Sequence, residues 1–359
     1  MLKGEARKRG TRATRSVSSP TGSLGLDPHA LFLLVLVGIL FALMSLTMPQ
    51  QFLTVANLES MAFQMSEIGI LTVAMALAML IGGIDLSVTA IANLSSITAG
   101  LVMVHLTKPG DPSPLVLSIV VLGIVVAITV GLLCGLMNGL LVGRVGVPAI
   151  LATLGTLTLY TGLAFGITKG RPVHGVPNPV LFLGIGKFLG IPMPLVVFLV
   201  VLAIVSIALN HTPYGFRVYL LGSNPTAARF CGIDNPGIIL RTHLIAGLLS
   251  AITGIVTLAR INSAHADYGS SYILTTILVA VLGGVAVTGG SGRVGGIALA
   301  LVTLQMLSTG FNMLLLRFSG SNFFRDFAWG FLLLFVMVFS RISQQSAPRM
   351  WWRRILSRH

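Results

Sequence analysis

Charge is what this chain lacks most. Charged residues make up 9% of its 359 residues, whereas soluble domains carry about 25%. Hydrophobic residues reach 55%, and the mean hydropathy is +0.94. A soluble core could not absorb this much apolar surface without lipid, so the composition excludes a soluble domain and indicates a multi-pass membrane protein. The 41 glycines agree with that class, because small residues let membrane helices approach closely.

The chain also lacks the short motifs of common enzymes. No G-x-x-x-x-G-K-[ST], H-E-x-x-H, G-x-S-x-G or C-x-x-C occurs in it. The stretch Gly289–Arg293 (GGSGR) is only superficially like a phosphate loop, since it lacks the Gly-Lys-Ser/Thr ending. We therefore predict that the chain is not an enzyme, has no catalytic residue and does not hydrolyse ATP itself.

Metal-ligand patterns are missing as well. The two cysteines, Cys134 and Cys231, belong to no metal-type spacing, and we expect no disulfide between them. No histidine lies four residues from another. The sequence therefore predicts neither a metal site nor a cofactor.

Basic residues are concentrated at the two ends. Of the 23 Lys and Arg residues, six lie in the first fifteen positions and five follow residue 340. Basic tails beside membrane spans are typical cytoplasmic anchors, so the net charge of +14 does not indicate nucleic acid as a partner. We predict a basic, disordered tail over 1–29, a transmembrane domain over 30–340 and a second basic tail over 341–359.

The apolar runs predict an all-α polytopic fold of about ten transmembrane helices in a lipid bilayer. With the N-terminus inside, the cytoplasmic segments hold sixteen Lys and Arg residues and the outer segments hold seven. This bias predicts that both termini are cytoplasmic. The predicted runs are 30–48, 65–83, 86–106, 115–143, 148–167, 190–209, 238–259, 274–289, 294–316 and 327–340.

A polar segment, Thr212–Gly237, interrupts the apolar pattern on the predicted cytoplasmic side. Within it, Asn224 is a suitable N-cap, Pro225 fits the first helical position, and Gly232 fits the position after the helix. The helix between them has about two turns and is marginal in isolation. We therefore expect a partner to dock on it. The residues predicted for this docking are Gly222, Asn224, Pro225, Ala227, Ala228, Arg229, Phe230 and Gly232, with the two alanines as a smooth face, Phe230 as an apolar knob and Arg229 for an acidic rim.

Two glycine-broken segments interrupt the predicted spans. Gly82–Ser87 (GGIDLS) lies between the second and third, and Gly283–Gly292 between the eighth and ninth. Breaks at membrane depth are tolerated where they line protein or a water-filled cavity, and transporters often place them beside the solute path. The residues predicted for this path are Asp85, Ser87, Asn93, Gly283 and Gly284. Asp85 could instead cap the helix that follows it.

Two further features concern helix packing and buried charge. Gly131, Gly135, Gly139 and Gly143 repeat every four residues and form one helix face, which fits either packing within the chain or a subunit interface. Asn138 beside them could donate a hydrogen bond across that face. Glu67 is expected to be water-exposed near the outer end of the second span.

Several stretches resemble one family, the permease subunits of ribose-type sugar ABC importers. They are Ile81–Ala90 (IGGIDLSVTA), Gly135–Pro172 with its core VPAILATLGT, Thr212–Ile233, Ala259–Gly269 and Leu282–Gly292. Together they extend over about residues 50–340. In the family the Thr212–Gly237 segment carries the coupling helix. Where many relatives read Tyr-Glu-Leu-Asp and Gly-Thr, this chain has Tyr272–Thr275 (YILT) and Gly295-Gly296.

The resemblance implies a set of partners and a location. These are a second permease subunit, identical or related, two cytoplasmic ABC ATPase subunits and a periplasmic sugar-binding protein, in the bacterial inner membrane. The sequence thus favours the permease of an ATP-driven importer for a simple sugar or polyol. An ion-gradient-driven carrier, a permease for branched-chain amino acids and a non-transport scaffold are the alternatives.

Overall fold

The computed structural model of the protein describes residues 28–315 together with residues 327 and 331. Over this part the chain is helical, with four strands of two residues each. Proline lies in the first turn of eight of these helices, where its missing N–H costs no helical hydrogen bond. The helices are α1 (Pro28–Thr47), α2 (Pro49–Phe52), α3 (Val55–Leu80), α4 (Val88–Leu106), α5 (Ser113–Leu140), α6 (Ala149–Thr168), α7 (Asn178–Ile185), α8 (Met193–His211), α9 (Pro213–Ser223), α10 (Pro225–Phe230), α11 (Asn235–Ile261), α12 (Tyr272–Leu282) and α13 (Val294–Leu315).

Helices α3, α4 and α11 form the centre of the bundle. Their most apolar segments are mostly buried, whereas those of α5, α6 and α8 face mostly outward. One large apolar cluster joins α3 to α8, α12 and α13, and a second joins α4 to α5, α7 and α11. Large hydrophobic side chains are exposed on α1, α5, α6 and α8, which is where a membrane protein contacts lipid.

Eight helices of the described part are long and apolar enough to cross a membrane: α1, α3, α4, α5, α6, α8, α11 and α13. They confirm the all-α polytopic fold and correspond to eight of the ten predicted runs. The eighth predicted run is different, because α12 has only 11 residues and ends at the second glycine break. The tenth run and both basic tails lie outside the described residues, apart from residues 28, 29, 327 and 331.

The second span begins ten residues earlier than its apolar run. Helix α3 starts at Val55, where the Thr54 side chain accepts a hydrogen bond from the Asn57 N–H at 3.2 Å. Its first turns carry Asn57, Glu59 and Gln64, so hydropathy alone did not include them. Capping, rather than hydropathy, fixes where this helix begins.

The four short strands form two antiparallel pairs in the loops at one end of the bundle. Strand β1 (Val173–His174) pairs with β4 (Ser263–Ala264), with Val173 opposite Ala264. Strand β2 (Lys187–Phe188) pairs with β3 (Ile191–Pro192). The β1–β4 pair joins the loop after α6 to the loop after α11, and the latter loop covers the cavity described below.

Candidate functional site

The first glycine break separates α3 from α4. Gly82, two residues after the end of α3, adopts a φ of +85°, a backbone conformation that glycine accepts at little cost. The Asp85 carboxylate then accepts hydrogen bonds from the Ser87 N–H at 3.0 Å and from the Ser87 hydroxyl at 2.6 Å. Asn138 of α5 donates to the same hydroxyl at 2.7 Å. Asp85 thus organises the start of α4, where the helix dipole favours a negative charge.

The second glycine break lies between α12 and α13 and contacts the first. The Gly290 N–H donates to the carbonyl of Leu80, the last residue of α3, at 2.9 Å. Gly289 lies so close to the backbone of Gly82 that a Cβ there would overlap it. The two breaks therefore contact each other backbone against backbone, and a β-carbon on Gly289 would disturb this contact.

A narrow polar cavity lies between α3, α4 and α11. The space that a water-sized molecule can enter is about 10 Å³, which is room for one water. Its polar lining comes from side chains that recur on one face of each helix. These side chains are Glu67 of α3, Thr89, Asn93 and Ser96 of α4, Thr253 and Thr257 of α11, and Tyr268 of the following loop.

The prediction that Glu67 is exposed to water is wrong. It is 1% exposed, and its carboxylate pairs with the Arg260 guanidinium through two hydrogen bonds of 2.5 and 3.0 Å. The Tyr268 hydroxyl donates to the same carboxylate at 3.3 Å and accepts from Arg260 at 2.8 Å. The expectation failed because the arginine that makes burial tolerable lies 193 positions away in the sequence.

Burial raises the pKa of Tyr268, and the neighbouring Glu67 charge raises it further. Its hydroxyl therefore stays protonated and can act as a hydrogen-bond donor at all physiological pH values. The Glu67–Arg260 pair is close to neutral as a unit, so the outer wall of the cavity is polar without carrying net charge.

Asn93 connects this cavity to the loop between α11 and α12. Its amide nitrogen donates to the carbonyl oxygens of Ala266 at 3.0 Å and Tyr268 at 2.9 Å. Of the five residues predicted for the solute path, Asn93 lines the cavity. Asp85 and Ser87 lie in the first glycine break, while Gly283 packs against Ile297 of α13 and Gly284 lies beside the His29 ring.

Sequence reasoning missed the threonine and serine lining. Thr89, Asn93 and Ser96 recur at intervals of four and three residues, and Thr253 and Thr257 at an interval of four, which places each set on one helix face. Gly254 lets α11 approach α4, because a Cβ there would overlap the Ala92 carbonyl. The helical spacing of hydroxyl groups in apolar spans was the signal that could have identified this lining.

The short helix α10 has the cap that its sequence indicates. The Asn224 side chain accepts a hydrogen bond from the Ala227 N–H at 3.0 Å, and Gly232 follows with a φ of +75°. Asn235 ties the start of α11 to the Pro225 carbonyl at 2.8 Å. Phe230 is 90% exposed, and Arg229 is exposed beside it.

Ala228 is not exposed on the predicted docking face. It is fully buried under α10, so the surface that a partner could contact consists of Phe230, Arg229 and the first turn, and Ala228 is not part of it. Arginine at this position would disrupt the packing of α10, so an Ala228→Arg variant would not test docking alone. The reason is the amphipathic arrangement of a two-turn helix, in which one alanine faces inward and the other is only half-buried.

The end of α9, directly before α10, contacts the region where the two glycine breaks meet. A Cβ on Gly222 would overlap the Leu80 carbonyl and lie 2.5 Å from the Gly290 nitrogen. The Tyr219 hydroxyl donates to the Gly292 carbonyl at 2.9 Å. Helix α9 therefore touches the end of α3 and the α12–α13 connection through backbone groups, with no flexible linker between.

The four-residue glycine repeat, which runs along α5 into a π-helical segment (Leu141–Val145), faces α11 within the same chain. A Cβ on Gly131 or Gly135 would overlap the Gly247 or His243 carbonyl, and one on Gly139 or Gly143 would crowd Leu240 or Pro236. The repeat thus lets these two helices pack backbone against backbone.

Among the described residues, no group of three or more His, Cys, Asp and Glu side chains could hold a metal ion.

Polar groups inside apolar helices are expensive and mark a path for solutes or ions. Here they are enclosed by three central helices, and glycine breaks lie between α3 and α4 and between α12 and α13, as in many transporters. Fold and cavity together define a multi-pass membrane transport protein.

Comparison with known proteins gives the family. Residues 57–340 match the family model described as the permease component of branched-chain amino acid transport systems. The chain is 35% identical to the ribose import permease of Bacillus subtilis (84% of this chain, 90% of that protein) and 32% identical to that of Escherichia coli K12 (78% and 85%). It is 29% identical to the L-arabinose permease of the latter organism (88% and 91%). No solved structure matches the chain.

The chain therefore belongs to the ABC importer permease family that includes these ribose and arabinose permeases, as the sequence resemblance predicted. It is a multi-pass protein of the bacterial inner membrane.

Proposed function

We propose that this chain is the transmembrane subunit of an ATP-driven importer for a simple sugar or polyol. It works with a second permease subunit, two cytoplasmic ABC ATPase subunits and a periplasmic sugar-binding protein. The permease does no chemistry on the solute, and ATP hydrolysis occurs on the separate ATPase chains. The names of the relatives, which are ribose and arabinose permeases, support this solute class.

The lining of the cavity also supports a hydroxyl-rich solute. Hydroxyl and amide groups from α4 and α11 can each donate or accept a hydrogen bond. The charge of Glu67 is already matched by Arg260. A neutral polyol can exchange hydrogen bonds with such a surface without bringing a charge into the membrane interior, where an unpaired charge is costly.

The contact of Gly222 with Leu80 at the end of α3 and with Gly290 in the second glycine break is the observation on which the coupling mechanism rests. An ATPase that moves α10 would move Gly222 and Ser223, since only Asn224 separates them from it. Because Gly222 lies against Leu80 and Gly290, that displacement reaches the end of α3 and the α12–α13 connection without a flexible intermediate. Orientation by the positive-inside count supports a cytoplasmic position for α10.

Phe230 is the anchor that we assign to the ATPase cleft. A phenyl ring exposed to 90% gains free energy when a partner covers it, and aromatic anchors with a neighbouring arginine are typical of binding hot spots. Arg229 adds a charge for an acidic rim. A helix of six residues is too short to be stable alone, but Asn224 and Asn235 both hold its first turn in place, so it can serve as a docking site.

Phe230→Asp tests this coupling in the complex purified with its own ATPase and binding protein. The carboxylate cannot enter an apolar cleft, so we expect stimulation of ATP hydrolysis by loaded binding protein to fall at least about tenfold, the result of losing ~1.4 kcal/mol of docking energy or more. Phe230→Leu is the matched control and should keep most of the stimulation. Full coupling in Phe230→Asp would contradict the assignment.

Branched-chain amino acids are the second candidate solute class, because the matching family model carries that description. The two classes differ in which loaded binding protein stimulates the complex. We expect the co-purified binding protein to bind D-ribose or another pentose, rather than L-leucine, in a calorimetric titration. Binding of leucine alone would reverse the choice and leave the coupling mechanism intact.

A further inference from the structure

Loop 262–271, between α11 and α12, occupies hydrogen-bonding groups of the cavity that a solute could use. The Asn93 amide donates to two backbone carbonyl oxygens of this loop, those of Ala266 and Tyr268. The Tyr268 hydroxyl donates to Glu67 over 3.3 Å, the longest bond of that cluster. Carbonyl oxygens and sugar hydroxyl oxygens are both acceptors, so the loop satisfies Asn93 in the way that a polyol would.

We infer that Asn93 and Glu67 are the solute-selecting contacts of this path, and that residues 266–268 occupy them when the path is closed from outside. This inference rests on the proposed sugar import and names the site within it. When the loop withdraws, the Asn93 amide is free to donate to solute oxygens, and the Glu67 carboxylate is free to accept from a solute hydroxyl. The solute thus replaces the loop bond for bond.

The burial of these groups is what makes the exchange selective. Asn93 is 7% exposed and Glu67 1% exposed, so either group loses a buried hydrogen bond if nothing takes the place of the loop. An apolar or singly functional solute would leave donors and acceptors unpaired. A neutral solute with several neighbouring hydroxyls satisfies them, since Arg260 keeps the Glu67 charge matched throughout.

The size of the cavity fits a closed path. About 10 Å³ holds one water and no sugar, so the solute enters only after residues 266–268 have moved away. The loop is held at its base by the β1–β4 pair and by Asn262, whose side chain accepts from the Val176 N–H at 3.0 Å. Its central residues depend on Asn93, Arg260 and Glu67 for their polar contacts, so these bonds set how readily it opens.

Accessibility of a cysteine in the cavity provides the first test. Thr257→Cys, in a Cys231→Ser background, is exposed to a membrane-impermeant maleimide from the outside of intact cells. Asn93→Asp has the same size but donates no hydrogen bond and repels both carbonyls. We expect it to speed labelling about tenfold, the effect of losing about two hydrogen bonds. Ser96→Ala, which lines the same cavity but bonds only within its own helix, should leave the rate unchanged.

Solute uptake is the second test. It separates the loss of the hydrogen bonds between Asn93 and the loop from the loss of the contact between Asn93 and the solute. In the reconstituted complex, Asn93→Asp should reduce D-ribose and L-arabinose uptake about tenfold while ATP hydrolysis stimulated by the binding protein persists. Tyr268→Phe, which keeps the ring but removes the hydroxyl, should increase labelling by a smaller factor and serves if Asn93→Asp does not insert.

Unchanged labelling in both variants, or unchanged uptake in Asn93→Asp, would overturn the inference. These outcomes leave the Phe230 test untouched, so a failure here is distinguishable from a failure of the proposed importer function. If Phe230→Asp also retained full coupling, the assignment of α10 as the ATPase docking site would be wrong as well.

Discussion

The carboxylate of Glu67 lies inside the bundle because Arg260 reaches it from another helix. Two hydrogen bonds join the pair, and Tyr268 bridges them. The same helix carries a second glutamate, Glu59, whose ion pair with Lys187 at 2.7 Å is partly exposed. At the scale of single residues, α3 thus offers two ion pairs of the same chemistry that differ in burial.

Glu67→Gln should destabilise the protein by about 3 kcal/mol or more, because it leaves the Arg260 charge without its partner in a buried position. Glu59→Gln, the matched control at the surface, should cost less than about 1 kcal/mol, since solvent screens that pair. Thermal unfolding of the purified protein in detergent measures both. The double variant Glu67→Gln/Arg260→Gln should recover part of the loss, and purely additive losses would show that the two side chains are not coupled.

At the scale of elements, the glycines of α5 and those of α6 differ in what they contact. On α5 the repeated glycines face α11 so closely that a Cβ would overlap a backbone carbonyl. On α6, Gly155, Gly162 and Gly166 have no neighbouring atom within 4 Å of such a Cβ. The same residue type therefore has a packing role in one helix, and no comparable contact within the described chain in the other.

Gly135→Val should destabilise the α5–α11 pair, because its side chain would have to displace the His243 carbonyl. Overpacking of this kind costs about 1–3 kcal/mol or more. Gly155→Val is the matched control and should remain close to the wild type in thermal unfolding. Equal losses in the two variants would indicate that helix propensity, and not the contact with α11, determines the cost.

At the scale of the whole molecule, the backbone contacts among Leu80, Gly222 and Gly290 connect the short helix α10 to the central helices. Backbone contacts transmit displacement well, because they have no side-chain rotamers that can absorb it. The cavity lies at the opposite end of this route, among α3, α4 and α11. A coupled transporter requires such a route between the site where ATP acts and the site where solute passes.

Gly222→Ala should weaken this connection, because the added methyl group would overlap the Leu80 carbonyl. We expect solute uptake to fall about tenfold, while the complex still assembles and hydrolyses ATP, a change of ~1.4 kcal/mol in coupling. The control, Gly295→Ala, lies in the first turn of α13 beside the second break and has no atom within 4 Å of the new methyl group. Uptake and hydrolysis that fall in parallel in Gly222→Ala would indicate lost docking in place of lost transmission.

The sequence alone determined the features that depend on local chemistry. Hydropathy and length identified eight of the spans, since a helix in lipid must satisfy its own backbone. Asn224, Pro225 and Gly232 located α10 correctly, because a cap is made by residues within one turn of each other. The limits of this reasoning appear at α3, whose polar first turns the hydropathy pattern missed.

Only the tertiary structure decided what depends on residues far apart in the chain. Glu67 and Arg260 come from different helices, so the burial of the carboxylate could not be read from its neighbours. Ala227 and Ala228 are the same residue type at neighbouring positions, and packing alone makes Ala228 buried and Ala227 half-buried. The same holds for the cavity: its serines and threonines are ordinary helix residues in the sequence, and become a common polar surface only where α3, α4 and α11 meet.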